Sequence, residues 1–321
     1  MAVTPPTPNG RSDLVIIEAA VNGVTRKPQN PNVPEGPAEI AACALACFEA
    51  GAGIVHNHID VVGVDGDRAA ARYLEGWKPV LDARPDALLY PTINAGRDVQ
   101  ESYAHLEPLV AAGALRIGLC DPGSVNLGWR DERGAPAGSY VYANSHADVG
   151  YQLELNARLG LGPQFAIFEP GFLRAVRAWH DAGAIPPGAM VKLYFGGPRG
   201  YFGNGTPFGL PPTAAALAAY CELLDGLPYP WSVAVIGGDL TTDAQFVARA
   251  LDLGAHLHVG LEDLGADREP ANDTLVAEAV ALCERAGRRA ATCAEAANLL
   301  GLQAVPGVDA GAWSEPGGGS G

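Results

Sequence analysis

The chain has 321 residues, 48% of them hydrophobic, and carries 36 Asp and Glu against 21 Lys and Arg, a formal net charge of -15. That balance excludes nucleic-acid binding, which needs clustered Lys and Arg against phosphate, and it excludes docking on an anionic membrane. The length exceeds the usual single-domain size, but (β/α)8 barrels reach it as one domain, and the apolar fraction supports a core of that size.

The six cysteines, Cys43, Cys47, Cys120, Cys221, Cys283 and Cys293, form no C-x-x-C pair. Most fall in apolar helical patterns, as reduced core thiols of a cytoplasmic protein do. Residues 1–12 are Pro-rich and polar, lack the apolar stretch of a secretory signal, and are expected to form an extended or disordered arm. No apolar run reaches transmembrane length.

Residues 13–21 read as a buried strand carrying one carboxylate, Glu18. A Pro- and Asn-rich loop leads to a helix from Pro37 to about Ala50, with proline in its first turn. The next apolar run ends in His56-Asn57-His58. In a strand, side chains two apart share a face, which places the two imidazoles side by side. Such a pair can hold a divalent metal when a carboxylate and an open position complete the site; the alternative is that one ring packs and the other hydrogen-bonds. Residues 66–83 form a helix with Tyr73 and Trp77 at i,i+4. A third strand (87–93), a helix (99–112) and a fourth strand (115–119) follow, then the turn-rich Asp121-Pro-Gly-Ser-Val-Asn126. Residues 127–146 read as irregular. A helix at 147–159, a fifth strand at 164–168, a helix at 173–184 and a sixth strand at 189–195 come next. The loop 196–211 is rich in Gly, Pro and aromatics. A helix (212–224), a seventh strand (231–236), a helix (242–253), an eighth strand (256–261) and a helix (273–287) complete the pattern.

Eight strands alternating with helices suit an open doubly wound sheet or a closed barrel. The count, the length and the lack of G-x-G-x-x-G after a strand favour an α/β fold of the (β/α)8 TIM-barrel type, one catalytic domain over residues 13–304. Residues 305–321, ending Gly-Gly-Gly-Ser-Gly, read as a flexible, linker-like tail.

In such a barrel the active site lies at the C-terminal ends of the strands. There the sequence repeatedly places polar groups after apolar runs: Glu18 and Asn22, then His56, His58 and Asp60, then Thr92 and Asn94, then Asp121, Ser124 and Asn126, then Glu169, Lys192 and Tyr194, then Asp239, and last His256, His258, Glu262 and Asp263. Packing alone does not account for that convergence. Glu262, on the eighth strand's end, would complete a His2Glu set suited to Zn2+ with open positions. Spacing leaves a competing set, His256, His258 and Glu262, on strand eight alone.

The run Ala41–His58 with its Phe-Glu-Ala-Gly-Ala-Gly before H-x-H, together with Asp121-Pro-Gly-Ser-Val-Asn126, Ile167-Phe-Glu-Pro-Gly171, Trp231-Ser-Val-Ala-Val-Ile-Gly-Gly238, Gly254-Ala-His-Leu-His-Val-Gly-Leu-Glu-Asp263 and Asn272-x-x-Leu-Val276, resembles the β-keto acid cleavage enzymes, formerly a domain of unknown function. The resemblance spans roughly residues 13–302. It implies a TIM barrel with one Zn2+ on His56, His58 and Glu262, and a reaction in which a β-keto acid and acetyl-CoA give acetoacetate and a new acyl-CoA. It implies that Asp263 helps deprotonate the system, and that the protein is a homo-oligomer, a tetramer or dimer. Candidate substrate contacts are Glu18, Thr92, Gly96, Asp121, Ser124 and Lys192, with Tyr142, Tyr201 and Phe202 as lid aromatics.

The chain also departs from these relatives. His258 stands where an arginine is usual, and is assigned that catalytic place beside Asp263. Glu18 stands where a small residue is common, Ile59-Asp60 follows the H-x-H in place of the frequent x-Arg, and Ala166 and the loop Asn22-Gly-Val-Thr-Arg26 lack two glutamates that suit an amino substrate. The expected substrate is therefore not 3-keto-5-aminohexanoate. The alternatives are an aldolase or lyase using Lys192 as a Schiff base, and a metal-binding barrel without this activity.

Overall fold

The computed structural model describes residues 12–205 and 208–303. The expected arm, apart from Ser12, and the expected tail lie outside the described residues. The first apolar run forms β1 (Leu14–Val15) and β2 (Ile17–Ala20). Then come α1 (Pro37–Ala50), β3 (Ile54–Asn57), α2 (Gly66–Ala83), β4 (Leu89–Pro91), α3 (Val99–Tyr103) and α4 (Leu106–Ala111). β5 (Ile117–Cys120), β6 (Val125–Arg130), β7 (Pro136–Tyr142), α5 (His146–Leu159), β8 (Gly162–Ile167) and α6 (Pro170–Asp181) follow. The rest is β9 (Met190–Gly196), α7 (Ala214–Leu224), β10 (Trp231–Ile236), α8 (Ala244–Asp252), β11 (His256–Val259), α9 (Asn272–Arg285), β12 (Arg289–Ala290) and α10 (Cys293–Leu300).

Eight strands form one parallel sheet in the order β4-β3-β2-β11-β10-β9-β8-β5. β4 and β5, its two ends, come into contact and bring the ring nearly to closure. This is the TIM barrel that the alternation predicts. The strands are covered on both faces, which is why they read as near-continuous apolar runs. Phe165 and Phe195 are wholly buried in that core, and burying a side chain of this kind contributes roughly 1.5–3 kcal/mol. No helix among the described residues is long and apolar enough to cross a membrane.

Four local departures have physical causes. Ile16 breaks the first strand because its N–H donates to His256 Nδ1 at 2.9 Å; the chain passes there from pairing with β12 to pairing with β11. Residues 99–112 form two short helices, since Pro108 lacks an N–H and its ring crowds the carbonyl one turn back. Residues 127–146, expected to be irregular, hold the antiparallel hairpin β6–β7. β6 does alternate, apolar at Val125, Leu127 and Trp129, but β7 is exposed along most of its length and opens Pro-Ala-Gly-Ser, without a period-two apolar signal. The helix α10 was marked in the sequence only by its capping box, in which Thr292 and Glu295 satisfy each other's backbone N–H groups.

Candidate metal centre and active-site cavity

β3 ends at Asn57, one residue short of the expected strand. Asn57 turns outward, where its Oδ1 accepts the Trp77 indole N–H at 2.7 Å, so His56 faces the barrel interior. His58 lies just past the strand and is held by Asn22 from the neighbouring loop, whose Oδ1 accepts the His58 N–H at 2.8 Å. Glu262 arrives from the other side of β2. Gly260, with φ of 146°, turns the chain after β11; a Cβ there would stand 2.0 Å from the Ala20 carbonyl oxygen. The Glu262 side chain then lies over Gly23, whose φ is 55°.

These elements bring His56 Nε2 to 3.4 Å and His58 Nε2 to 3.1 Å from the Glu262 carboxylate oxygens, with all three donor atoms within 4.8 Å of one another. The donor set fits Zn2+. Ligand bonds of about 2.0–2.1 Å in a tetrahedron put neighbouring ligand atoms roughly 3.3 Å apart, close to both spacings. His58 Nε2 and Glu262 Oε2 are buried without a hydrogen-bond partner. His56 Nδ1 lies 3.3 Å from the Tyr90 carbonyl oxygen, which places the ring proton there and leaves Nε2 as a lone pair toward the carboxylate. Burial pushes the His56 imidazole down to about 3, so the ring is neutral. Burial would raise the Glu262 carboxyl, but His58 and His56 opposite it bring it down to about 2. An ionised carboxylate this close to two imidazole nitrogens is stable with a proton or a cation among them, and a metal meets that need.

The three residues form one end of a cavity of about 340 Å³. Thr92, Asp121, Lys192 and Asp263 line it, together with Tyr142 and Tyr201. Asp121 accepts a hydrogen bond from the Tyr142 hydroxyl; burial raises its carboxyl, with Tyr142 and Lys192 acting against that. Asp263 is also raised by burial, against the pull of His258. Lys192 Nζ lies 3.1 Å from Glu18 Oε1, in an ion pair that leaves no free amine for a Schiff base.

Several expected residues stand elsewhere. Glu18 does not contact the cavity; it is wholly buried below it. His258 likewise lies beneath that cavity, 3.1 Å from Glu18 and 3.0 Å from Asp263, and its ring meets Tyr194 of the cavity wall. Ser124 Oγ accepts the Asn144 N–H at 3.0 Å and clamps the base of the hairpin, away from the cavity. Gly96 packs against the Ser102 backbone and also lies outside it, and Phe202 faces an adjoining chamber. The competing strand-eight set fails because His256 spends Nδ1 on the Ile16 N–H. In the sequence Tyr90 is one aromatic in an apolar strand, yet its ring stacks on His56 at 4.4 Å and its hydroxyl bonds Glu18. Its position two residues before Thr92 was the available signal, because the two share a face.

The model of a family described as beta-keto acid cleavage enzyme matches residues 14–302. A 3-oxoadipate:acetyl-CoA acetyltransferase of Cupriavidus necator is 30% identical over 305 residues, covering 90% of this chain and 95% of that protein. A 3-keto-5-aminohexanoate cleavage enzyme of Fusobacterium nucleatum is 23% identical, covering 91% of this chain and 99% of that one. Among solved structures, a binary complex of ObcA with oxaloacetate superposes with a TM-score of 0.60 at 15% identity, over 85% of this chain and 68% of that chain; it shares the fold.

Proposed function

The chain belongs to the beta-keto acid cleavage enzyme family and is an acyltransferase of that class, and from that premise we propose that it uses Zn2+ on His56, His58 and Glu262 to convert a β-keto acid and acetyl-CoA into acetoacetate and a new acyl-CoA. The observation that carries the metal is the meeting of the three donor atoms within 4.8 Å at the end of a cavity that also exposes Asp263. When bound, Zn2+ supplies Lewis acidity to the ketone and neutralises the carboxylate beside it.

Asp263 takes the proton from C2 of the keto acid, a role favoured by the burial that makes its carboxylate a stronger base. The C2 carbanion attacks the thioester carbonyl of acetyl-CoA and breaks its C–S bond, the released CoA thiolate adds to the C3 ketone, the C2–C3 bond breaks to give the new acyl-CoA, and the C2 carbanion left on acetoacetate takes the proton back from Asp263. Two substrates give two products with no net change in electrons or protons. Lys192, pinned by Glu18 and Tyr90, offers its remaining positive field to the substrate carboxylate.

The substrate's acyl end carries no second carboxylate. Lys192 is the only lysine or arginine among the described residues lining the cavity, and Glu18 already holds it. A distal carboxylate would meet Asp121 without a cation of its own. Ala166 in the wall likewise supplies no partner for the amino group of 3-keto-5-aminohexanoate. A homo-oligomer, supported by the exposed Trp129, Tyr140 and Val141 of the hairpin, and a cytoplasmic location belong to the same reading.

The test is metal analysis of purified protein combined with a panel of β-keto acids and acetyl-CoA, with acyl-CoA and acetoacetate read by mass spectrometry. About one Zn2+ per chain, lost in His56→Ala, and an acyl-CoA product are expected. A metal-free protein of full activity sinks the zinc reading.

A further inference from the structure

We propose that Glu18, sealed beneath the cavity floor, is a positioning residue that fixes His258 and, through it, the carboxylate of Asp263. The inference rests on the functional reading above, because Asp263 matters only if it meets substrate. Glu18 and His258 are register partners on the adjacent strands β2 and β11, so their side chains enter the barrel in the same layer. Three groups converge on one oxygen, Glu18 Oε1: the Tyr90 hydroxyl, Lys192 Nζ at 3.1 Å and His258 Nδ1 at 3.1 Å. The other nitrogen of the same imidazole, Nε2, stands 3.0 Å from Asp263 Oδ2.

A carboxylate within about 3.1 Å of each ring nitrogen favours a proton on both, an imidazolium held between two anions by charge, while neither contact has the alignment of a hydrogen bond and both ring nitrogens are buried without one. The groups that face it are Glu18, Asp263, the Tyr194 ring with its centroid 5.4 Å away, Glu262, whose charge it feels, and, behind Glu18, Lys192. Burial alone would lower His258; the two carboxylates reverse this and raise it to about 9. Tyr90 and Lys192 anchor Glu18 from the far side, so the imidazolium cannot drag it away.

A carboxylate that orients an imidazole, which in turn addresses a reacting group, is the positioning logic of hydrolase triads. Here the far member is a second carboxylate. The bland alternative is a buried Lys192–Glu18 ion pair with His258 as a bystander. That pair does not by itself explain why His258 bridges the two carboxylates. On our reading, loss of the Glu18 charge frees the ring to lose a proton and releases Asp263 to rotate.

The experiment is a double-mutant cycle of Glu18→Gln and His258→Gln in the full chain. Each single variant is expected to lower kcat about 10–100-fold, the range typical of supporting residues around a metal site, with unchanged zinc content and KM for acetyl-CoA. The double variant should be no worse than the poorer single one, since both remove one interaction. Multiplying effects, or a Glu18→Gln enzyme with wild-type kcat, overturn the proposal. If removing the charge prevents folding, Glu18→Asp, which keeps the charge but draws it back by one methylene, should fold and lower kcat with unchanged zinc content; wild-type kcat in that variant overturns the proposal. Independently, 15N-histidine NMR of the unmodified protein at pH 7.5 should show His258 protonated on both nitrogens, where an ordinary imidazole of pKa about 6.5 is mostly neutral. A neutral tautomer overturns the proposal. Failure of the wild-type protein to form acyl-CoA from any β-keto acid defeats the functional reading, while the NMR result still decides the His258 geometry.

Discussion

Asn22 grips His58 by both of its backbone polar groups: its Oδ1 accepts the His58 N–H at 2.8 Å and its Nδ2 donates to the His58 carbonyl at 3.0 Å. Because His58 lies past the end of β3, no strand neighbour holds it, and this side chain does the work of a ladder. Asn22→Ala is expected to weaken zinc binding about 10–100-fold, measured by competition with a chromogenic chelator. Asn22→Asp keeps the acceptor but loses the donor, and should fall between the two. Unchanged affinity in Asn22→Ala would show that the loop positions His58 without it.

Gly23 bears on Glu262, the third of the proposed ligands. An added Cβ would stand 2.3 Å from Glu262 Cγ, at a backbone φ of 55°. Gly23→Ala should lose retained zinc on dialysis. Gly63 is the control, with φ of 67° and nothing within 4 Å of its added Cβ. Both alanine variants pay roughly 1–2 kcal/mol for the left-handed backbone, seen as a lower thermal midpoint, but Gly63→Ala should keep its metal.

Asp121 lines the cavity, and the proposed reaction puts the substrate's acyl end against it. Asp121→Asn removes a buried carboxylate that would repel an acidic acyl end. The variant should gain about tenfold or more in kcat/KM for a β-keto dicarboxylate relative to a neutral β-keto acid, a change of about 1.4 kcal/mol. Steady-state kinetics on the two substrates checks it; an unchanged ratio removes Asp121 from specificity.

His256 makes stability depend on pH. Burial first, and Arg288 second, lower its imidazole to about 3 in the folded chain, against about 6.5 when unfolded. Between those values the unfolded chain binds the extra proton. The stabilisation is therefore fully present above about pH 6.5 and drains as pH falls toward 3, at up to about 1.4 kcal/mol per pH unit. His256→Gln offers an acceptor for the Ile16 N–H without titrating. Its thermal midpoint should fall less steeply than wild type between pH 6.5 and 4.5; parallel slopes would refute the assignment.

The local sequence determined the barrel. Parallel strands covered on both faces must be apolar runs, and their alternation with helices is written residue by residue, so the eight barrel strands were legible. So was the neighbourhood of His56 and His58, since a period of two does not depend on what the strand packs against. In the hairpin only β6 alternates, through Val125, Leu127 and Trp129; β7, exposed along most of its length, needs no apolar alternation, so the pairing of the two was not legible. Nor could spacing choose between His56 and His256 as ligands. Both sit in H-x-H motifs, and only the closed ring shows that His256 Nδ1 meets the Ile16 N–H while His56 Nε2 meets Glu262. The same closure decided the fate of Glu18. In the sequence it is one carboxylate in an apolar run, 240 residues before His258; the pairing of β2 with β11 makes them neighbours. Local patterning carries periodicity, whereas contacts between the first and last barrel strands depend on register around the whole ring.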